Sequence, residues 1–112
     1  MATIIASGST FETRTFEVAD GTRLTNAIEA QGIDILHRCG GYGKCTTCRV
    51  SFSAGEPTDM TAAEAEKLAG NSDFRLSCQL TCSGDMVVEV LRTMTSTGLD
   101  DAGPELSADI PA

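Results

Sequence analysis

The first twenty residues favour β-strands, although the alternation of apolar and polar side chains is incomplete, because Phe11, Glu12 and Arg14 do not fit the face that Phe16 and Val18 share. Residues 3–7 predict one strand and residues 10–19 a second, with Gly8 and Ser9 between them as turn residues. Strands joined by so short a connection predict an antiparallel hairpin. Phe16 is expected on the apolar face of the second strand.

A helical spacing follows the hairpin. Leu24, Ala27, Ile28 and Gln31 recur at intervals of three and four residues, and Gly32 comes next as a residue that commonly ends helices. The pattern predicts one short amphipathic helix with its apolar side on the core.

Extended chain is predicted on both sides of residue 40. Residues 33–38 are expected to be anchored to the core by Ile33, Ile35 and Leu36. Residues 49–53 alternate between apolar and polar side chains, which predicts a third strand. Whatever lies between these two segments is therefore expected to be held firmly at both ends.

The second half of the chain predicts a small helix and two extended segments. Thr61 and Glu64 have the spacing of a capping box, and Gly70 is a candidate helix stop. Residues 74–79 are expected to be extended, and residues 86–91 predict a closing strand. Strands and helices in this order place the chain in the α+β class.

The length fits one domain, which we assign to residues 1–92. Beyond it, Thr, Ser, Gly, Asp and Pro dominate, so residues 93–112 are expected to form an acidic, poorly ordered tail. The longest apolar run is only a few residues, so no membrane insertion is expected.

Acidic residues outnumber basic ones by sixteen to eight, giving a formal charge of -8. Such a chain repels nucleic acid phosphates and favours a partner with a basic docking face. An anionic surface that only aids solubility explains the charge equally well. The first residues lack a basic segment followed by a long apolar stretch, so we expect no secretory signal and a cytoplasmic location. We also expect a monomer.

Cysteines carry the candidate chemistry. Cys39, Cys45, Cys48 and Cys78 form the pattern C-x5-C-x2-C-x29-C, and a chain expected in a reducing compartment uses thiols for metal ligation more readily than for disulfides. Thiolates are soft ligands that suit iron-sulfur clusters and zinc. Three glycines in the first loop permit the tight turns that aim N–H groups at sulfur, and these are Gly40, Gly41 and Gly43.

With these motifs the chain resembles a [2Fe-2S] ferredoxin, from about residue 3 to residue 91. The resemblance rests on Cys-Gly-Gly at residue 39, on Cys-Thr-Thr-Cys-Arg-Val at residue 45 and on Arg-Leu-Ser-Cys-Gln at residue 75. It implies a β-grasp fold, in which a mixed sheet of four to five strands embraces one main helix and the cluster loop lies near the surface. It also implies that the four cysteines of the pattern bind the iron of a [2Fe-2S] cluster.

Alternatives remain for several of these residues. A structural zinc module would need the same four thiolates, although zinc ribbons usually show two close pairs. Cys82 is the spare thiol, expected to be buried or idle rather than a replacement ligand. One histidine, His37, excludes a Rieske centre, which needs two. Hydroxyl groups near the loop are as suited to capping backbone as to bonding cluster sulfur, and these are Thr46, Thr47 and Ser77.

Charged and aromatic neighbours complete the candidate site. Arg38, Lys44 and Arg49 bracket the loop and offset cluster charge or remain solvated, while Tyr42 is placed to shield the cluster from water. No catalytic triad, phosphate-binding loop or basic aromatic surface is found in the sequence, so an enzyme is not expected. The sequence predicts a one-electron carrier between a reductase and an oxygenase or another redox enzyme, with a redox-sensing regulatory domain as the other alternative.

Overall fold

A computed structural model of the chain describes residues 2–36, 48–56, 61–69 and 74–98. The strands are β1 (Ala2–Gly8), β2 (Phe11–Val18), β3 (Arg49–Ala54), β4 (Arg75–Leu76) and β5 (Asp85–Val90). The helices are α1 (Leu24–Glu29), α2 (Ala62–Leu68) and α3 (Met94–Thr97), with a 3-10 turn at Ser77–Gln79. These elements confirm the α+β class.

Five strands of the described residues form one mixed sheet in the order β2-β1-β5-β3-β4. β1 and β2 form the predicted antiparallel hairpin, in which Ile4 pairs with Phe16. β1 runs parallel to β5, whereas β3 is antiparallel to both β5 and β4. This topology puts the first and last long strands side by side in the middle and leaves β4 at one edge.

The core lies on the sheet face that carries the alternate apolar residues. Ile4 of β1 and its parallel neighbour Met86 of β5 are both fully buried. α1 covers this face, since Leu24 and Ile28 belong to the same buried cluster. The predicted helix is thereby confirmed, and Gly32, with a φ of +80°, adopts the left-handed conformation expected just after its end.

The segment that leads out of α1 is anchored as predicted, because Ile33, Ile35 and Leu36 are all buried. Ile35 forms an isolated antiparallel bridge with Thr93, and the amide of Leu36 donates to the carbonyl of Arg92 at 3.2 Å. The chain before residue 37 is therefore tied to the segment that follows the last strand of the sheet.

α2 differs in detail from the predicted capping box. The hydroxyl of Thr61 accepts a hydrogen bond from the amide of Glu64 at 3.1 Å, as expected of an N-cap. The carboxylate of Glu64 does not complete the box, because it turns inward to Arg75. Ala69 ends the helix in the left-handed conformation, whereas Gly70 lies outside the described residues.

One predicted segment needs correction, and part of the predicted tail is described. Residues 74–79 are not extended throughout, since Ser77–Gln79 forms a 3-10 turn after the short strand β4. Residues 93–98 of the predicted tail are described, and the carboxylate of Asp34 accepts hydrogen bonds from the amide and the hydroxyl of Thr95 in α3, at 3.0 and 2.8 Å.

Within the described residues, no helix has both the length and the apolar character to cross a membrane.

Candidate metal centre

The sulfur atoms of Cys48 and Cys78 lie 3.3 Å apart, although thirty positions separate the two residues in the chain. Both side chains are fully buried and neither forms a disulfide. A disulfide bond would measure about 2.05 Å, so the sulfurs converge without bonding to each other. Of the four predicted ligands, these two are described, and Cys39 and Cys45 lie outside the described residues.

The pairing of β3 with β4 brings the two cysteines together. Cys48 immediately precedes β3, where Arg49 pairs with Leu76 of β4. The ladder continues one step further, because the amide of Ser77 donates to the carbonyl of Cys48 at 3.0 Å. Ser77 therefore lies opposite Cys48, and Cys78 follows it in the chain, so the sheet edge brings the two cysteines close together.

α1 holds the turn that carries Cys78 from the other side. The amide of Leu24 donates to the carbonyl of Leu80 at 2.9 Å, and the hydroxyls of Thr25 and Ser77 share a fully buried hydrogen bond. The hydroxyl of Ser77 therefore bonds a side chain of α1 rather than capping nearby backbone. Sequence reasoning had no signal for Thr25, because its partner is 52 positions away.

α2 fixes β4 through a buried ion pair. The carboxylate of Glu64 accepts hydrogen bonds from Nε and Nη2 of Arg75 at 2.9 and 3.0 Å, and from the amide of Leu76 at 2.8 Å. Glu64 is fully buried, and its hydrogen bond is the main reason that the pKa of Arg75 is raised. The ion pair locks the strand just two residues before Cys78.

A small apolar cluster surrounds the sulfurs and is separate from the main core. It contains Leu68 and Leu76 beside the two cysteines, with the half-buried ring of Phe74 packed against it. The guanidinium of Arg49 lies over that ring, 4.3 Å from its centre. The ring of Phe74 and the guanidinium of Arg49 thus border the sulfur pair. The sequence identified Arg49 as a candidate neighbour but not Phe74.

Cys82 occupies a different environment. It is fully buried in the main core, among residues such as Ile4 and Met86, and not in the cluster that contains Cys48. Burial, with a smaller contribution from Asp20, raises the pKa of the Cys82 thiol to about 11. Its place in a separate cluster therefore sets Cys82 apart from the sulfur pair of Cys48 and Cys78.

The other predicted neighbours of the site lie outside the described residues, and these are His37, Arg38, Tyr42, Lys44, Thr46 and Thr47 with the three loop glycines.

The sulfur atoms of Cys48 and Cys78 are placed suitably to bind a metal. Two thiolates bound to one tetrahedral metal at about 2.3 Å would lie about 3.8 Å apart, so a small outward movement suffices. Soft thiolate donors of this kind accept iron of a cluster or zinc.

Comparison with known proteins separates these two possibilities. A model of the 2Fe-2S iron-sulfur cluster binding domain matches residues 8–83. One subunit of the Na(+)-translocating NADH-quinone reductase of Neisseria gonorrhoeae is 36% identical over 74 residues, which are 62% of this chain and 18% of that relative. The matched segment therefore spans less than a fifth of the length of this curated relative.

Solved structures that superpose on this chain also include [2Fe-2S] ferredoxins. The ISC-like [2Fe-2S] ferredoxin of Pseudomonas putida JCM 20004 superposes with a TM-score of 0.68 at 26% identity, covering 80% of this chain and 92% of that one. In the covalent putidaredoxin reductase-putidaredoxin complex, a chain superposes with a TM-score of 0.65 at 28% identity, covering 79% and 96%. The expected β-grasp arrangement of sheet and helix is thereby confirmed.

Proposed function

The chain belongs to the family of 2Fe-2S iron-sulfur cluster binding domains, and from this premise we propose that it passes single electrons from a reductase to an oxygenase or another redox enzyme. The [2Fe-2S] cofactor and the electron-transfer role expected from the sequence are confirmed by the family and by the ferredoxin structures. When bound, the cluster accepts and releases one electron. The chain's own residues hold it, shield it and present it to partners.

We propose that Cys39, Cys45, Cys48 and Cys78 bind the iron atoms. The observation that carries this assignment is the convergence of the Cys48 and Cys78 sulfurs, which the sheet edge places 3.3 Å apart in a buried apolar cluster. That spacing suits ligation of the same iron atom. Cys82 is left out because it lies in the main core, apart from the cluster that contains Cys48 and Cys78.

The partners are proposed from two relatives and from charge. One relative is part of an NADH-quinone reductase, and another was solved in a covalent complex with its reductase. The formal charge of -8 supports docking on basic faces of such proteins and argues against nucleic acid. We propose that this chain supplies the carrier step only and catalyses no reaction itself.

We further propose a monomer in the cytoplasm. Among the described residues, Leu91 is the only large hydrophobic side chain that is exposed, so this part of the surface offers little apolar area for self-association. Thiols that must stay reduced for ligation suit a reducing compartment. Sedimentation should give the mass of one 11.7 kDa chain, and a dimer at micromolar concentration would contradict the proposal.

The test of the carrier function is spectroscopic. The purified protein should show visible absorption that bleaches with dithionite, together with an electron paramagnetic resonance signal that appears on one-electron reduction. A protein that contains zinc, and that gains no reducible chromophore after anaerobic reconstitution with iron and sulfide, would overturn it. Stoichiometric binding to a partner that switches with the redox state would favour a sensor over a carrier.

The ligand assignment is tested by a matched pair of substitutions. Cys78→Ser should shift or abolish the visible spectrum, because oxygen replaces a thiolate ligand. Cys82→Ser makes the same chemical change at a buried cysteine of the main core and should leave the spectrum of the folded protein intact. The reverse outcome would exchange the roles of the two residues.

A further inference from the structure

The sulfur of Cys78 has a side-chain donor beside it. Nε2 of Gln79 lies 3.7 Å from Cys78 Sγ, a distance at which an amide N–H group donates to sulfur. Gln79 is only 4% exposed, so water does not compete freely for this amide. The arrangement therefore directs a buried hydrogen-bond donor at one of the proposed ligands.

Thr61 holds the opposite end of the same amide. Its hydroxyl donates to Gln79 Oε1 at 2.7 Å and at the same time accepts from the amide of Glu64 at 3.1 Å as the N-cap of α2. A hydroxyl has one hydrogen and two lone pairs, so both bonds can form together. With the hydroxyl hydrogen on Oε1, the Nε2 end of the amide must face the sulfur.

The chemistry of the ligand supports this orientation. A thiolate is an acceptor only, and the flipped amide would place Oε1 against it, with two acceptors in contact and no hydrogen between them. The orientation in which Thr61 donates to Gln79 and Gln79 donates to Cys78 satisfies all three groups. It forms a relay from the start of α2 to the metal centre.

We propose that Gln79 donates a hydrogen bond to the Cys78 thiolate and thereby raises the reduction potential of the bound cluster, with Thr61 as the residue that positions the amide. The inference rests on the proposed function, in which Cys78 is a ligand. Reduction adds one negative charge to the cluster and its thiolates, so an N–H donor stabilises the reduced form more than the oxidised form. Loss of the donor must therefore make the potential more negative.

Gln79→Leu tests the donor directly, since leucine fills similar space without an N–H group. In a redox titration the midpoint potential should become more negative. At a fixed potential near the midpoint, the ratio of reduced to oxidised protein should fall about threefold to tenfold, a tenfold change being 59 mV for one electron. Gln31→Leu, the same change at a half-buried position after α1, should leave the midpoint unchanged.

A second readout reports the hydrogen bond itself. In protein labelled with nitrogen-15 in glutamine side chains, pulsed electron paramagnetic resonance of the reduced cluster should detect a coupling to one side-chain nitrogen. That coupling should disappear in Gln79→Leu and persist in Gln31→Leu. A purely structural role for Gln79 would not produce it.

The positioning role of Thr61 needs variants that separate the relay from the helix cap. Thr61→Ser keeps both functions and should retain the wild-type potential. Thr61→Gly preserves most of the capping stability but has no donor for Oε1, so its potential should shift in the same direction as that of Gln79→Leu. In the double variant the shift should not exceed that of Gln79→Leu, because the two residues act through one bond.

The variants test the donor role of Gln79 and the positioning role of Thr61 separately. An unchanged midpoint and an unchanged nitrogen coupling in Gln79→Leu would overturn the donor role, and an unshifted Thr61→Gly would overturn the positioning role. Thr61→Gly leaves Gln79 in place, so it supplies the measurement if Gln79→Leu fails to assemble a cluster. If Cys78→Ser left the spectrum intact, the ligand assignment itself would fail and the role of Gln79 would lose its premise. A disturbed spectrum in Cys78→Ser with an unchanged midpoint in Gln79→Leu would overturn the role of Gln79 alone.

Discussion

Cys82 shows at the scale of one residue how burial controls the chemistry of a thiol. Its side chain has no exposed surface in the described structure, and burial raises its pKa to about 11, with a smaller contribution from Asp20. The thiol therefore stays protonated at neutral pH and acts as a small apolar side chain. Cys48 and Cys78 are equally buried, so burial by itself does not identify a ligand.

The raised pKa predicts a loss of stability at alkaline pH. Between the ordinary thiol pKa near 9 and the raised value of about 11, the folded protein binds more protons at Cys82 than the unfolded chain does. The free energy of unfolding must then decrease as the pH rises through this window, by up to about 2 kcal/mol. Denaturant unfolding at pH 8 and at pH 11 measures the decrease.

Cys82→Ala is the control for that measurement. The variant lacks the titrating group, so its free energy of unfolding should fall less between the same two pH values, whatever stability it loses from the smaller side chain. If the free energy of unfolding fell equally between pH 8 and pH 11 in the two proteins, the pKa of Cys82 would be the same in the folded and unfolded states.

At the scale of secondary structure elements, α2 depends on one buried ion pair. Glu64→Gln would leave the guanidinium of Arg75 buried without its main carboxylate partner, since Glu56, at 3.3 Å, is exposed. Breaking a buried pair in this way costs about 3 kcal/mol. We expect a corresponding fall in the free energy of unfolding, with faster loss of visible absorbance because β4 also carries the segment that leads to Cys78.

Glu66→Gln provides the matched control, since Glu66 is an exposed glutamate on the same helix. Its effect on stability should be within about 0.5 kcal/mol. If the two variants were equally stable, the ion pair between Glu64 and Arg75 would contribute nothing beyond its desolvation cost.

The elements that the sequence predicts well are those defined by local periodicity. α1 and β3 follow from helical spacing and from alternation, and β1, β2 and β5 follow from short apolar segments bounded by turn residues. The cysteine spacing and the loop glycines predicted a thiolate metal site, whereas the choice of a [2Fe-2S] cluster over zinc came from the resemblance to ferredoxins.

Side-chain contacts and turns that depend on residues far away in the sequence could not be predicted. The local pattern assigned Glu64 to a capping box, but a buried arginine 11 positions away competes for its carboxylate. The turn at Ser77–Gln79 is fixed by contacts with β3 and α1, neither of which is adjacent in sequence. The amide of Gln79 joins the site only because the fold places Thr61 beside it.

At the scale of the whole molecule, the strand order separates the site from the hairpin. β4, which leads to Cys78, lies at one edge of the sheet and β2 at the other. α2 contacts β4, so the exposed carboxylate of Glu66 is on the side of the molecule that carries the sulfurs. Glu12, also exposed, lies on β2 at the far edge. The two glutamates can therefore separate local docking from net charge.

If basic partners dock near the sulfurs, the rate at which a reductase reduces the protein should fall about tenfold between low and 0.5 M salt. The assay follows the bleaching of visible absorption with a reductase that reduces this protein, and putidaredoxin reductase is the first to try because it forms a complex with a structural neighbour. Glu66→Lys should slow the reaction at low salt severalfold more than Glu12→Lys, although both change the formal charge from -8 to -6. Equal slowing would mean that net charge, rather than a surface beside the metal centre, guides the partner.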